Sequence, residues 1–489
     1  METLPAWMGG VRNNRRMSEL HERPSLRERS PLRERSPGTH ARGLPRGPHS
    51  LTRAQVATNQ RGRLLEGMID TVGAKGYSAS TVSDVIKRAG VSRKAFYEHF
   101  ANKEECFLAT YDSIAAYGQR AISEAFHHAE GLPDSTNAAL GELFDLALER
   151  PEAMRVLMVE IGAAGAAGIE RRERMAAGYE DFLRGILGLP SDPGPVPNPV
   201  LRGVVGGLVH VLYAHLRRGE RARLRKLVPG LAHWATSYWP APPAMMNLAD
   251  TPPQELHLDL SGGRAPGSLS LGAAASGRRK LPRGENGMSR SFVVHSQRER
   301  ILDAVANLTA TKGYAALTVE GVATEASVSL QAFYEHFRDK EDAFLVAYEI
   351  GHDKALALVE QAYRTQSDWR LGVRAGISAL FRFMAGEPTY AHVAMVDVLA
   401  ATERTAERAF KGAASYSQML LPGLDYSPNG ERLPEVTVEA IAGGLFELCL
   451  HHALQGRVHE LPTIVPRATY FALAPFIGGQ AAAEIAMAP

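Results

Sequence analysis

Residues 95–100 read AFYEHF, and residues 332–337 read AFYEHF again. Six identical residues so far apart are either chance or the visible part of a longer repeat, so the match has to be followed outward. At a shift of 237 positions it continues without a gap. Lys75-Gly76-Tyr77 falls on Lys312-Gly313-Tyr314, Thr81-Val82 on Thr318-Val319, Lys103-Glu104 on Lys340-Glu341, and Pro151 on Pro388. Further along, Met158-Val159-Glu160 falls on Met395-Val396-Asp397, Gly206-Gly207-Leu208 on Gly443-Gly444-Leu445, and His215 on His452. One offset serves most of each half. The chain is therefore a duplicated unit of roughly domain-pair size, not an array of short repeats.

Each hexapeptide sits third in a run of short helices with clear boundaries. Leu64, Leu65, Met68, Ile69 and Val72 form one apolar helical face, and Gly76 is placed to end that helix in a left-handed conformation. Thr81 then opens a short helix through Val82, Val85 and Ile86 that stops at Gly90, and Ser92 caps the next, with Phe96 and Phe100 one turn apart on its inner side. A fourth helix starts at Asn102, with Glu105 three residues on in a capping-box-like arrangement. Helix, glycine-containing turn, helix is helix-turn-helix geometry, whose second helix enters the DNA major groove. Arg93, Lys94 and Tyr97 fall off the Phe96/Phe100 face and are expected to point outward, with His99 and Lys103 near the helix end. Arginine can grip guanine through two hydrogen bonds, while Tyr, His and Lys suit phosphate oxygens.

The order Gly-Tyr, Thr-Val, Ala-Gly-Val-Ser, Phe-Tyr-Glu-His-Phe, Asn-Lys-Glu resembles the DNA-binding domain of the tetracycline-repressor (TetR) family, and the second copy repeats it from Thr318 to Glu341. The resemblance implies an all-α chain of two fused units, each a helix-turn-helix domain followed by a helical ligand-binding and dimerisation domain. It implies a transcriptional regulator, usually a repressor released by a small ligand. By the same resemblance Thr81 contacts phosphate, Arg93 and Lys94 read bases, and Tyr97, His99 and Lys103 hold the backbone. Their second-copy counterparts are Thr318, Leu330, Gln331, Tyr334, His336 and Lys340. Leu330 departs from a charged reader but could touch a thymine methyl, and Gln331 could pair with adenine.

The expected division is a disordered Arg/Pro-rich tail over 1–57, helix-turn-helix domains over 58–105 and 293–342, helical domains over 106–239 and 343–489, and a flexible linker over 240–292. The tail contains the tandem LRERSPLRERSP at 26–37, and the linker contains Arg278-Arg279-Lys280, read as solvated charge. From Thr81 to Lys103 five positive residues face two negative, a net of +3; from Thr318 to Lys340 two face four, a net of −2. Phosphate neutralisation dominates nonspecific affinity, so the first copy is expected to bind DNA better. The whole chain carries only +2, so DNA-binding charge must be local.

Two halves in one chain suggest an intramolecular pseudo-dimer on an asymmetric palindromic operator, with homodimerisation as the alternative. Small residues permit close helix approach, so the seam is expected at Gly206, Gly207, Gly443 and Gly444. A largely apolar effector would be lined by some of Phe126, Phe144, Met154, Met158 and Tyr179, or of Phe381, Phe383, Met395 and Tyr416, although residues at such spacing are more often core. The alternative function is a ligand-sensing or interaction protein whose second helix-turn-helix no longer binds DNA and whose first half binds as a conventional dimer.

No Walker-type loop, nucleophile elbow or zinc signature occurs, and the pairs His127-His128 and His451-His452 point to different sides of a helix. No enzyme activity, cofactor or metal is expected. Two cysteines, Cys106 and Cys449, make no disulfide framework, and the apolar stretch 200–216 is broken by Arg202, His210 and His215. Both point to a cytoplasmic protein with no membrane span.

Overall fold

The helices form where caps and apolar periodicity agree, and a computed structural model of the chain describes residues 52–187, 189, 198–242, 245, 290–426 and 432–488. In the first unit α1 spans Arg53–Lys75, α2 Val82–Ala89, α3 Arg93–His99, α4 Lys103–His127, α5 Leu132–Glu149, α6 Pro151–Met158, α7 Gly165–Ile186, α8 Pro199–Arg217 and α9 Arg221–Thr236. The second unit repeats this order as α10 Arg290–Lys312, α11 Val319–Ala326, α12 Leu330–His336, α13 Lys340–Arg364, α14 Trp369–Gly386, α15 Pro388–His392, α16 Val398–Ala401, α17 Glu403–Tyr416, α18 Val436–Leu454, α19 Val465–Ile477 and α20 Gly479–Ala486. Among the described residues there is no strand, and the fold is all-α.

Two expectations change at the unit starts. Residues 53–57, expected in the tail, are helical, because Thr52 and Gln55 form a reciprocal capping box: the Gln55 N–H donates to Thr52 Oγ1 at 3.2 Å and the Thr52 N–H to Gln55 Oε1 at 2.8 Å. Likewise α10 starts at Arg290, inside the expected linker. The rest of the tail and nearly all of the linker, with 26–37 and 278–280, lie outside the described residues. The domain boundaries expected after 105 and 342 fall inside α4 and α13, so each head is continuous with the helical domain below it.

The first head has its own core, in which Leu64, Met68, Phe96, Phe100 and Phe107 pack with Ala153 and Val156 of α6. Phe96 is wholly buried, which contributes about 1.5–3 kcal/mol. The second head instead merges into one large core with both helical domains. Of the residues expected as core or cavity lining, Phe144 and Phe381 are fully buried.

At the centre α8 and α18 cross antiparallel at glycines. A Cβ at Gly206 would overlap the Glu447 side chain, and one at its counterpart Gly443 would overlap His210. A Cβ at Gly207 would overlap the Ala440 carbonyl, and one at Gly444 the Gly203 carbonyl. These pairs exchange under the 237-residue shift, as two-fold packing of two repeats requires. α8 is long and apolar enough by composition to cross a membrane, but most of it is buried inside the protein.

The flanks of the crossing are not alike. On one, Arg202 is 2% exposed and meets Glu180 at 2.5 Å, Glu173 at 3.2 Å and, across the seam, Glu447 at 3.5 Å. Arg172 also reaches Glu447 at 2.5 Å, and His451 reaches Glu173 at 2.5 Å. On the other flank Glu439 stands at the counterpart of Arg202, Phe410 at that of Glu173, and His210 at that of Glu447. There the rings of His210 and Phe410 lie 5.0 Å apart, and Glu439 accepts from His215 at 3.1 Å and Arg218 at 3.3 Å.

Candidate nucleic-acid interface and the first-unit cavity

In the first head α3 is placed by local chemistry. Thr81 caps α2 and shares a reciprocal box with Asp84, whose carboxyl is held down to about 2 by Lys75 and Thr81. Gly90 then turns in the left-handed region (φ 62°, ψ 36°), and the Arg63 guanidinium donates to its carbonyl at 2.7 Å. Ser92 Oγ accepts the Ala95 N–H at 3.1 Å and starts α3. The earlier cap is different from expectation: Gly76 has positive φ (79°) but an extended ψ of 162°, so it ends α1 without entering the left-handed helical region.

Arg93, Lys94 and Tyr97 come together on the exposed face of α3, while Ala95 and Phe96 face inward. The Arg93 guanidinium lies 5.8 Å from the Tyr97 ring centroid, and Lys94 sits 3.9 Å from Glu98 with its side chain 88% exposed. Such a loose exposed pair contributes little and leaves Lys94 available to a phosphate or base. Thr81 is also exposed. His99 and Lys103 are placed differently. His99 Nε2 is buried with no protein hydrogen-bond partner. Lys103 donates to the Tyr77 carbonyl at 3.0 Å, lies 4.1 Å from that ring, and burial lowers its pKa. Lys103 thus ties α4 to the end of α1, and its other donors remain for a phosphate.

The second head repeats the frame with other chemistry. Thr318 and Ser329 cap α11 and α12, and the turn runs through Ser327 (φ 52°), the one non-glycine residue of positive φ among those described. Arg300, counterpart of Arg63, donates to the Ala326 carbonyl at 3.1 Å. Leu330 and Tyr334 are exposed, and Gln331 donates to Glu335 at 3.2 Å. His336 is half-buried with its pKa lowered by burial, and Lys340 donates to the Tyr314 carbonyl at 3.4 Å, matching Lys103, and to the Leu317 carbonyl at 2.8 Å.

A junction that the sequence reading left without a role joins each head to its helical domain. The Tyr77 N–H donates to Glu160 Oε2 at 2.8 Å, and Arg155 donates to Glu160 Oε1 at 2.9 Å. In the second unit the Tyr314 N–H donates to Asp397 at 3.2 Å, and His392 meets the other oxygen at 2.8 Å. The acid is conserved between the copies of the repeat, which was the available signal.

Directly under α6 the first unit holds a cavity of about 240 Å³. Phe126, Met154, Met158 and Tyr179 line it, together with Phe410 and Phe446 of the second unit. Its charged neighbours are already paired, Arg150 with Glu66 at 2.8 Å and Arg172 with Glu447. His210 also lines it, and burial lowers its pKa to about 4, so the imidazole is neutral near pH 7. Tyr416, Met395 and Phe381 line a smaller second-unit cavity of about 50 Å³, while Phe383 packs at 5.6 Å against Tyr390.

Comparisons with known proteins agree with this geometry. The family model described as bacterial regulatory proteins, tetR family, matches twice, over residues 64–110 and 301–347. An HTH-type transcriptional activator, FasR, from Mycolicibacterium smegmatis is 30% identical over 105 residues, 22% of this chain and 48% of the relative. An HTH-type transcriptional repressor, AcnR, from Corynebacterium glutamicum is 35% identical over 75 residues, 15% of this chain and 40% of the relative. The match thus spans half or less of each relative's length. A solved structure of the fatty acid degradation regulator FadR from Bacillus halodurans aligns over 36% of this chain and 94% of its own, at 16% identity and a TM-score of 0.33.

Proposed function

Because the chain is a tandem member of the tetR family of bacterial regulatory proteins, we propose that it regulates transcription as a ligand-released repressor whose two units pair within one chain on one operator. In this reading α3 and α12 enter successive major grooves, Arg93 and Lys94 read one half-site, and Gln331 with Leu330 reads the other. Thr81, Tyr97, His99 and Lys103, with Thr318, Tyr334, His336 and Lys340, hold the phosphates. The operator is consequently an imperfect palindrome. The chain works in the cytoplasm, and its effector is a largely apolar small molecule.

The observation that carries the reading is the complementarity of the seam. Two first units paired with each other would set His210 where Glu447 stands, so Arg172 and Arg202 would lose a carboxylate at both flanks. Two second units would bring Glu439 towards Glu447, because Glu447 would replace the His210 that Glu439 now faces. Like charges in a buried site are costly, so each unit is matched to the other and mismatched to itself. The domain division follows the same logic: two heads, two helical domains, and a linker whose length permits the halves to meet.

The charge of −2 across the second reading region favours a second reading, in which α12 adds little and the first head binds alone. Selection of bound DNA from a random pool, with the mass of the complex measured alongside, decides between them. One chain on two unlike half-sites supports the pseudo-dimer. Two chains on two identical half-sites would refute it.

A further inference from the structure

Resting on the ligand-released reading above, we propose that the chain takes one effector, an uncharged apolar molecule, in the first unit only, and that Tyr390 is a built-in plug occupying the corresponding space of the second. The two cavities, about 240 Å³ and about 50 Å³, differ at positions that exchange under the repeat. In the first unit Ile114 and Ala153 line the cavity. Their counterparts are Gly351 and Tyr390. The pair has traded bulk: a Cβ at Gly351 would overlap the Tyr390 ring, so the missing side chain on α13 is what lets the tyrosine of α15 lie across the pocket.

The plug is well held. Tyr390 is 2% exposed, its hydroxyl donates to the Tyr348 carbonyl at 3.4 Å, and its ring packs on Phe383. A second exchange fills the adjoining space. Met175 in the first unit corresponds to Gly412, where a Cβ would stand 2.5 Å from the Tyr348 hydroxyl and 3.2 Å from the His352 ring. His352 stacks on Tyr348 with centroids 5.9 Å apart, and its first-unit counterpart is Ala115. Two glycines on the second side thus accommodate the rings of Tyr390 and His352, which stand where the first side has Ala153 and Ala115, while Tyr348 has its counterpart in Tyr111.

The ligand class follows from the lining. Leu, Ile, Met and Phe dominate the first cavity, and its two arginines are neutralised by Glu66 and Glu447. A charged ligand would have to break one of those pairs or go unpaired, which is costly in a desolvated site. Tyr179 and the neutral His210 can serve one hydrogen-bonding group on an otherwise hydrocarbon body. Because Phe410, Phe446 and Leu450 come from the second unit, an occupant touches both halves at the seam.

The test titrates the full chain with N-phenyl-naphthylamine, an uncharged fluorescent probe, and with its sulfonated analogue, following stoichiometry and DNA release together. One uncharged probe per chain is expected, with the sulfonated analogue at least tenfold weaker. Tyr390→Ala should raise the stoichiometry to two, since Gly351 leaves the space open. The double variant Ile114→Gly/Ala153→Tyr, which copies the plug into the first unit, should abolish binding while circular dichroism confirms the fold. Two probes, or none, on the unmodified chain overturns the proposal, as does binding that survives the copied plug or prefers the sulfonated analogue. One probe bound without any loss of DNA affinity supports the single site and instead refutes ligand release.

Discussion

Replacing Arg202 by methionine removes the cation that three carboxylates share and keeps most of the side chain's length. Glu447 retains Arg172, and Glu173 retains Arg172 at 2.8 Å and His451, so the loss concentrates on Glu180, whose contact to Arg202 Nε is close at 2.5 Å but off the hydrogen-bond axis. Removing one partner of a buried pair costs about 3–5 kcal/mol, which is two to four powers of ten in the ratio of folded to unfolded chain. The loss should depend on pH in a defined sense. Burial already pushes the Glu180 carboxyl up to about 7, against the opposing pull of Arg202, and without Arg202 it rises further. A carboxyl whose folded pKa exceeds its unfolded value of 4.5 stabilises the fold fully below that value and loses the contribution as pH rises through the folded pKa. The deficit of Arg202→Met against the unmodified chain should therefore be largest near pH ~8 and shrink towards pH ~5.5. Guanidinium unfolding at both pH values measures it, and adding Glu180→Leu should recover much of the loss at the higher pH. A deficit under about 1 kcal/mol, or one equal at both pH values, would refute the account of a buried seam network.

Other outcomes concern the heads and the junction. Arg93→Ala with Lys94→Ala should cost about 1–3 kcal/mol per lost base contact and relax one half-site, and Leu330→Ala with Gln331→Ala should relax only the other; mobility shifts on operators altered in one half-site separate these. Glu160→Gln weakens the acceptor shared by the Tyr77 amide and Arg155, so a loss of about 1–3 kcal/mol and faster hydrogen exchange at Tyr77 are expected, with exchange in the second head unaffected. His210 has its pKa lowered to about 4 by burial, so its contribution to stability is present above 6.5 and lost as pH falls through 4. His210→Phe should flatten the acid limb of the stability profile, read as midpoint of unfolding against pH.

The heads were legible because their determinants are local. Ser92 to Ala95, Thr81 to Asp84 and Asn102 to Glu105 are caps spanning three residues, and the inward turn of Phe96 and Phe100 follows from helical period alone. The inward placement of Lys103 was not legible, because its partner Tyr77 is reached only after the chain folds back through α2 and α3. The flanks of the seam were hidden for a similar reason. The four glycines stand at matching places in the repeat, but the ion cluster joins residues whose repeat counterparts are unlike: Arg202 with Glu439, Glu173 with Phe410, Glu447 with His210. Self-similarity reveals what the copies share and conceals what they exchange. The Gly351 and Tyr390 pair is the same case, since neither residue alone reads as part of a cavity until α13 and α15 are side by side.

The unlike flanks bear on the heredity of the gene as well as on folding. Two tandem copies of one coding sequence invite recombination, and the product of a crossover at matching positions is a single-copy gene. That product would have to pair with itself. A hybrid that kept Arg202 without Glu447 would leave buried guanidinium groups short of a carboxylate, and one that kept Glu447 with Glu439 would set carboxylates against each other. Divergence across the seam thus makes the duplication hard to reverse, because only a crossover falling between 202 and 210 keeps Arg202 and Glu447 in one copy, and every other product loses the partner for which its surface had become specialised.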